Sequence, residues 1–584
     1  MNMKDTIRYF IIAFFGVLAF SSCSLDEKSY MEMEQNSFIR DAKEAETVLL
    51  GVYRTMVEDP VYAYHLSMLF ALPSDIAKGE GSTTNAFRSI TANNYTNAQS
   101  EVDETWEALY SGIYRANDFM ERLAYRYDSF SESDRRKAIV YMGEARTLRA
   151  LFYFELVRWY GNVVLMESTK DVEKHPENFK ESTRNEIYGF IEKDLKYAID
   201  ALPYANLDVV RSSNDFRMSK GAALGLLAKV YATWAGYYTD NDGSIVRDND
   251  YLDKWRKSAD VSRELIYSGQ HGLLEDFSQL WENTNNGIWD PTESLIEVSF
   301  YSYRTFSSTS SAGRVGKWNG VTAPMGSIPA YQMAANYRVV PTFAQKWYND
   351  SGKTDGVSND QRFALSVADY RYTKASNGEP SYFTTTVGGV ATPYTFVDAL
   401  KSADAKQRSQ FNNNLCPRKW DLQLWQTAQS IVSSDHFSNA NWYVLRYADV
   451  LLLYAEALNE LDGPTAEAYA AVNMVRRRGY GVDVGLKGSY DAPADMDQDT
   501  FREYVHQERA YELAFEGHRR QDLIRWGIYY ESIRSTYENL GNWHELASDN
   551  YICGTFTQKG KHERLPIPLR ETDMTSITQN PNWK

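Results

Sequence analysis

The sequence predicts a mainly α-helical protein, a superhelical scaffold of helix pairs interrupted by an irregular part made of loops and short strands. Three observations carry this. Apolar residues recur at steps of three and four through two long blocks. A helical hairpin spanning residues 446–479, 34 residues in all, has the length of the tetratricopeptide period. Between the blocks, from about 269 to 441, the helical period fades. The composition suits such a protein: 43% of the 584 residues are hydrophobic and 24% charged, which excludes a disordered chain or a multi-span membrane protein. Length alone suggests about four domains, a prior that one extended superhelix defeats. With 62 Lys and Arg against 78 Asp and Glu the net charge is −16, which argues against nucleic acid and anionic membrane surfaces as partners. The aromatic content is high, with 14 Trp, 42 Tyr and 26 Phe. Rings in that number either pack helices or face a ligand.

The chain opens with Lys4 and Arg8, a nearly unbroken apolar run from Tyr9 to Phe20, then Ser21, Ser22 and Cys23. The run is too short to span a bilayer and reads as a secretory signal over 1–22. Cys23 stands where a bacterial lipoprotein signal places its lipidated cysteine, although Phe20 replaces the usual Leu. Residues 23–36 are polar and acidic and read as a tether, and 37–584 as one domain with helical blocks at 37–268 and 442–584. Two further cysteines, Cys416 and Cys553, would suffice for one disulfide but not for a disulfide framework.

In the first block, Asp41 and Glu44 cap a helix whose face carries Ala45, Val48, Leu49, Val52 and Met56. A second helix runs through residues 105–125. A third, from about Ser133 to Gly161, repeats Ala138, Met142, Ala145, Leu148, Phe152 and Leu156, and Gly161 stops it. Further helices fit Arg184–Leu202, Ser219–Trp234 and Leu252–Ile266. In the middle region, Glu293–Tyr303 alternates as a half-buried strand does, and a Ser/Gly-rich loop comes after it. Residues 281–348 hold twelve aromatics in 68 positions. Asp59–Ser100 is similarly irregular. In the second block, Asp462, Gly463 and Pro464 divide the 446–479 hairpin, and Thr500 with Glu503 reads as a capping box opening the next helix.

Catalytic signatures are absent. Gly352, Lys353 and Thr354 lack the glycine that a phosphate-binding loop needs, since position 347 is Trp. There is no nucleophile elbow and no zinc-protease histidine pair. His518 and Asp522 share a helical face, but a metal needs three or four ligands, so a salt-bridge role fits better. No cofactor is implied. A carboxylate pair for glycoside hydrolysis is spatial and not legible in sequence.

Six stretches, TWEALYSGIYRAN, GEARTLRALFYFELVRWYG, RYADVLLLYAEALNE, VNMVRRRG, ERAYELAFEGHRRQDLIRWG and the terminal LPIP with QNPNW, occur in the order found in the SusD/RagB family of outer-membrane lipoproteins, and the chain resembles that family over essentially its whole mature length. Asn582 departs from the family's usual Gly. The resemblance implies a scaffold of four tetratricopeptide-like helix pairs under an irregular ligand-binding part, display at the cell surface, and partnership with a SusC-like TonB-dependent transporter; with no catalytic motif found, the protein is read as non-enzymatic. Asp26 and Glu27, soon after Cys23, are similar to the surface-export signal of such lipoproteins. The dense charges of the motif helices, among them Glu144, Arg149, Glu155, Glu508, Arg509, Glu512, Glu516 and Arg525, look catalytic. Spaced three and four apart, they are read first as ion networks, with the transporter as a second possible destination.

The expected ligand is an oligosaccharide or polysaccharide. A sugar ring has an apolar face that Trp or Tyr covers and a rim of hydroxyls that amides and charged groups pair with. Trp318, between glycines in GKWNG, is the leading candidate for an exposed platform. Trp281 and Trp289 flank a run containing Asn283, Asn285 and Asn286, with core packing as the competing role. Tyr301 and Tyr303 share the polar face of their strand. Asp75, Asn94 and Tyr95, beside Asn93, are candidates from the early irregular region. The alternatives are a RagB-like peptide- or protein-binding component and a surface glycoside hydrolase.

Overall fold

The structure, a computed structural model, describes residues 39–80, 86–173, 175–300, 313–324, 333–402, 404–427, 438–543 and 551–583. Cys23, Tyr301 and Tyr303 lie outside the described residues. Helices α1 (Ala42–Tyr53), α2 (Ser100–Arg126), α3 (Glu132–Tyr160), α4 (Arg184–Ala201), α5 (Lys220–Ala235) and α6 (Tyr251–Tyr267) form the first block. Their starts obey the sequence. The Asp41 side chain accepts from the Glu44 amide, Ser131 from Asp134, Ser219 from Ala222, and Thr183 with Glu186 makes a full capping box. Gly161 ends α3 at φ +86, a backbone conformation open to glycine. Each helix then packs on the next, α2 on α3, α3 on α4, α4 on α5 and α5 on α6.

The second block continues the array. Helices α7 (Phe277–Asn285) and α8 (Pro341–Asp350) belong to the middle region, and α9 (Tyr447–Asp462), α10 (Ala466–Gly479), α11 (Gln498–Glu512), α12 (Arg519–Arg525) and α13 (Tyr529–Trp543) come after them. α9 packs on α6 across the sequence gap, and α10 and α11 pack on α9, so the two blocks form one continuous stack. The 446–479 hairpin is present, with its first helix beginning at Tyr447 because Arg446 ends a strand. Tyr454 and Leu458 on α9 are 2% and 5% exposed. Leu458→Ala is therefore expected to cost about 2–5 kcal/mol through the cavity it leaves, read as a lower urea midpoint. Glycan binding lost at unchanged stability would contradict this placement. One start is corrected. α11 begins at Gln498, and Asp497, not Thr500, is its cap, accepting from the Thr500 amide at 2.8 Å.

Four short strands link distant parts of the chain, β1 (Ala77–Gly79), β2 (Ser294–Val298), β3 (Tyr337–Val339) and β4 (Trp442–Arg446). β2 pairs antiparallel with β4, and β1 with β3. The expected half-buried strand is buried over Ser294–Val298, because α5 lies against the face that alternation assigns to solvent, Leu295 packing beside Gly225. Cys416 and Cys553 are separate buried thiols and no disulfide joins them. Burial pushes the Cys553 thiol up to about 12. Asn582 adopts φ +64, a conformation that glycine takes most readily and asparagine tolerates, and its amide donates to the Gly560 carbonyl at 3.1 Å.

The dense charges of the motif helices are internal. Arg446 pairs with Glu293, Glu512 and Glu516, Arg478 with Glu293 and Glu512, and Arg362 with Asp360, Glu508 and Glu512. Lys419 closes on Glu516 and Arg476 on Glu508. Acids and bases balance along this chain of contacts, as a buried network requires. A second cluster holds the pair weighed as metal ligands: His518 accepts Lys229 at 2.9 Å, and Asp522 pairs with Arg509 and Arg525. Among the described residues no three His, Cys, Asp or Glu side chains group to hold a metal.

Candidate functional site

The GKWNG turn is tighter than an exposed loop. Gly316 has φ +79, and a Cβ there would stand 2.3 Å from Leu422. A Cβ on Gly320 would stand 2.3 Å from the carbonyl oxygens of Gly316 and Trp420. The glycines therefore serve close packing, and Asn319 locks the turn by accepting the Gly316 amide at 2.6 Å. Trp318 projects from this seat half-buried, one side packed on the main core. Its carbonyl accepts the Asn336 amide at 2.6 Å, and the Asn336 carbonyl accepts the Glu80 amide at 3.0 Å beyond the β1–β3 pair. Two irregular regions of the sequence, around 59–100 and 313–339, are thereby joined.

At the junction is a small, open hollow with Met68, Leu69 and Leu72 against its apolar wall and Glu80, Thr91 and Asn336 as polar lining. Trp318 and Tyr64 face it, their rings 5.9 Å apart at 41°. The Arg314 guanidinium lies 5.3 Å from the Tyr64 centroid and 5.8 Å from that of Trp318, and is held by Asp59 at 2.5 Å. Burial pushes the Tyr64 phenol above its ordinary range, so it enters as a neutral donor. His65 next to it is neutral too, because burial and then Arg314 lower its pKa to about 3. Glu80 is paired with Arg338 at 2.7 Å. Two rings beside amide, hydroxyl and carboxylate groups can cover a sugar face and bond its hydroxyls.

The remaining candidates sit elsewhere. Trp281 is fully buried against Phe277, Trp420 and Tyr443, with ring centroids at 5.5, 5.5 and 6.2 Å, so it presents no face to a ligand and is corrected to core. Asn283 and Asn285 are buried with it, and Asn285 donates to the carbonyls of Trp281 and Lys419. Tyr95, 7% exposed, is also core, its ring tilted against Trp583 at 5.0 Å near the terminus. Asp75 is engaged by Arg519 at 2.8 and 2.7 Å, which ties the early loop to α12. Asn94 is exposed. Trp289 is half-buried beside Phe216, with centroids 6.0 Å apart. Sequence reasoning missed Tyr64, Glu80 and Asn336. Nothing local marks them, because the β1–β3 pairing that assembles them links positions some 260 apart, as Ala77 with Val339.

A family model described as the SusD family matches residues 287–583, and one described as starch-binding associating with outer membrane matches residues 24–232. The chain belongs to the SusD family. A SusD homolog from Bacteroides thetaiotaomicron, known as a crystal structure, is 48% identical, and the two superpose with a TM-score of 0.86 over 95% of this chain and 100% of that one. The SusD-like protein P25 of Formosa agariphila is 25% identical across 98% of this chain and 97% of its own. A laminarin-binding SusD-like protein of 23% identity shares the fold, with a TM-score of 0.63 over 92% of this chain and 99% of that one. In this SusD-family chain no helix among the described residues is long and apolar enough to cross a membrane.

Proposed function

We propose that this SusD-family protein is a lipid-anchored cell-surface receptor that captures an oligosaccharide at the Trp318 hollow and delivers it to a SusC-like TonB-dependent transporter. The observation that carries the capture step is the Trp318–Tyr64 ring pair set beside Glu80, Thr91 and Asn336. The laminarin binding of a fold relative supports a neutral glucan as the first ligand class to test. Among the described residues Glu80 is the one carboxylate lining the hollow, and Arg338 holds it. Hydrolysis of a glycoside uses a pair of carboxyl groups across the scissile bond, so this lining supports binding without turnover. Purified protein should release no reducing sugar from a glycan it retains.

Affinity electrophoresis against neutral polysaccharides, and then isothermal titration with an oligosaccharide of the retained one, tests the site. Trp318→Ala should weaken binding by about 2 kcal/mol or more, close to thirtyfold. Stability should fall less than for a core tryptophan, since one side of the ring is open. Full affinity in the variant would remove Trp318 from the site. Trp289, Asn94, Tyr301 and Tyr303 are secondary candidates to scan in the same assay.

The anchor rests on the apolar run before Cys23. Acyl chains supply the membrane affinity, so Cys23→Ser should move the protein from the membrane fraction to the soluble fraction, and unchanged partitioning would exclude lipidation there.

A further inference from the structure

A second cavity, of about 460 Å³ counting its mouth, lies between the end of α3, α4, the segment after α5, α12 and the C-terminal tail. Arginines line it, and three of them are neutralised locally. Arg158 donates to both oxygens of Glu155 at 2.8 and 2.6 Å, Arg184 pairs with Asp248 at 3.2 Å, and Arg525 holds Glu456 at 2.6 and 2.8 Å. Arg564 differs. It is 8% exposed, its Nη2 donates to the Asp240 carbonyl at 2.9 Å, and it makes no ion pair among the described residues. It is also seated, since a Cβ on Gly161 would stand 2.5 Å from its Nη1.

Unmet hydrogen bonds gather on the same walls. Arg564 Nε, Gln521 Nε2, Thr239 Oγ1 and Glu563 Oε2 are buried without a partner among the described residues, and Gln521, Thr239 and Glu563 are 7%, 2% and 5% exposed. Nearly all buried polar groups in folded proteins are paired, so the three orphan donors among these, Arg564 Nε, Gln521 Nε2 and Thr239 Oγ1, on the walls of one cavity call for a shared acceptor. Water would satisfy the hydrogen bonds, but the Arg564 guanidinium, near the carboxyl groups of Asp240 and Glu563 and ion-paired with neither, keeps a desolvation cost that an anion offsets.

We propose that this cavity binds a small tetrahedral oxyanion, sulfate or phosphate, on Arg564 Nε, Gln521 Nε2 and Thr239 Oγ1. Glu563 modulates the site. Burial pushes its carboxyl up to about 7 and lowers the Arg564 pKa to about 10. Protonation of Glu563 below pH 7 removes a negative charge and adds a donor, while the four arginines stay charged. Binding of sulfate, whose charge is constant over this range, should therefore tighten as pH falls from 8 to 6.

Selenate soaked into crystals of the full chain should give an anomalous peak within hydrogen-bond distance of Arg564 and Thr239. In solution, sodium sulfate and sodium phosphate are titrated separately against sodium chloride of equal ionic strength, because sulfate also stabilises proteins non-specifically. A saturable rise in melting temperature with either oxyanion is expected, and its midpoint should shift at least tenfold in Arg564→Gln. Thr239→Val, close to isosteric, should weaken it too, and decides the matter if Arg564→Gln does not fold. A cavity holding water only after selenate soaking, or a sulfate response that is linear and identical in wild type and Thr239→Val, would overturn the proposal.

Discussion

Glu512→Gln is expected to destabilise the protein by about 3–5 kcal/mol, the cost of removing one partner from a buried charge network. Glu512 is fully buried and accepts three arginines, Arg362 at 3.0 Å, Arg446 at 2.6 Å and Arg478 at 2.5 Å. The amide keeps the shape and leaves the guanidinium groups with a charge missing in a medium that screens poorly. Urea denaturation of variant and wild type measures the loss, and a change under about 1 kcal/mol would show that water or rearrangement compensates. The same residue gives the acid limit. Burial pushes the Glu512 carboxyl up, and Arg478, Arg446 and Arg362 more than reverse this, holding it well below the ordinary carboxylate range. A depressed folded-state pKa contributes stability that is complete above the unfolded value of about 4.3 and is lost as pH falls through the folded value. The wild type should therefore lose stability steeply below about pH 4, and Glu512→Gln should show a shallower acid slope.

Trp281→Ala is expected to cost a further about 3–5 kcal/mol, by a different route, the cavity left by a buried indole. Its ring meets Trp420 edge-on at 5.5 Å, Trp420 stacks on Trp442 at 5.2 Å, and the Lys419 ammonium lies 4.5 Å from the Trp281 centroid. The substitution thus loosens the layer under the Glu516–Lys419 pair as well. Glycan affinity of the folded variant should match wild type, because Trp281 has no exposed surface. An affinity lost with the urea midpoint unchanged would return Trp281 to the binding surface. Together with Trp318→Ala, this substitution separates the aromatic residues that hold the fold from those offered to a ligand.

Much of the helical array was legible along the chain because its signals are local. Asp41, Ser131, Thr183 and Ser219 stand one residue before their helices, Gly161 stands one residue after, and the apolar steps of α3, α9 and α10 repeat within a few turns. The charged motifs of α11 and α12 were legible as structural for the same reason, their three- and four-residue spacing being that of contacts on helices. The candidate site was legible only in its chemistry. A tryptophan between glycines reads the same whether the glycines free a loop or admit a close approach, and Gly316 and Gly320 do the second. Trp281 and Trp318 are equally aromatic in sequence, yet one lies under Trp420 and the other beside Tyr64. By itself, then, the sequence determined most of the helices, many of their caps and the family, all encoded within a few turns of chain, while the cap of α11 lies three residues before the one the pattern suggested. Only the tertiary structure decided which ring is open, because exposure is set by strands and side chains paired from hundreds of residues away, β1 with β3 and Asp75 with Arg519, and no local pattern carries that information.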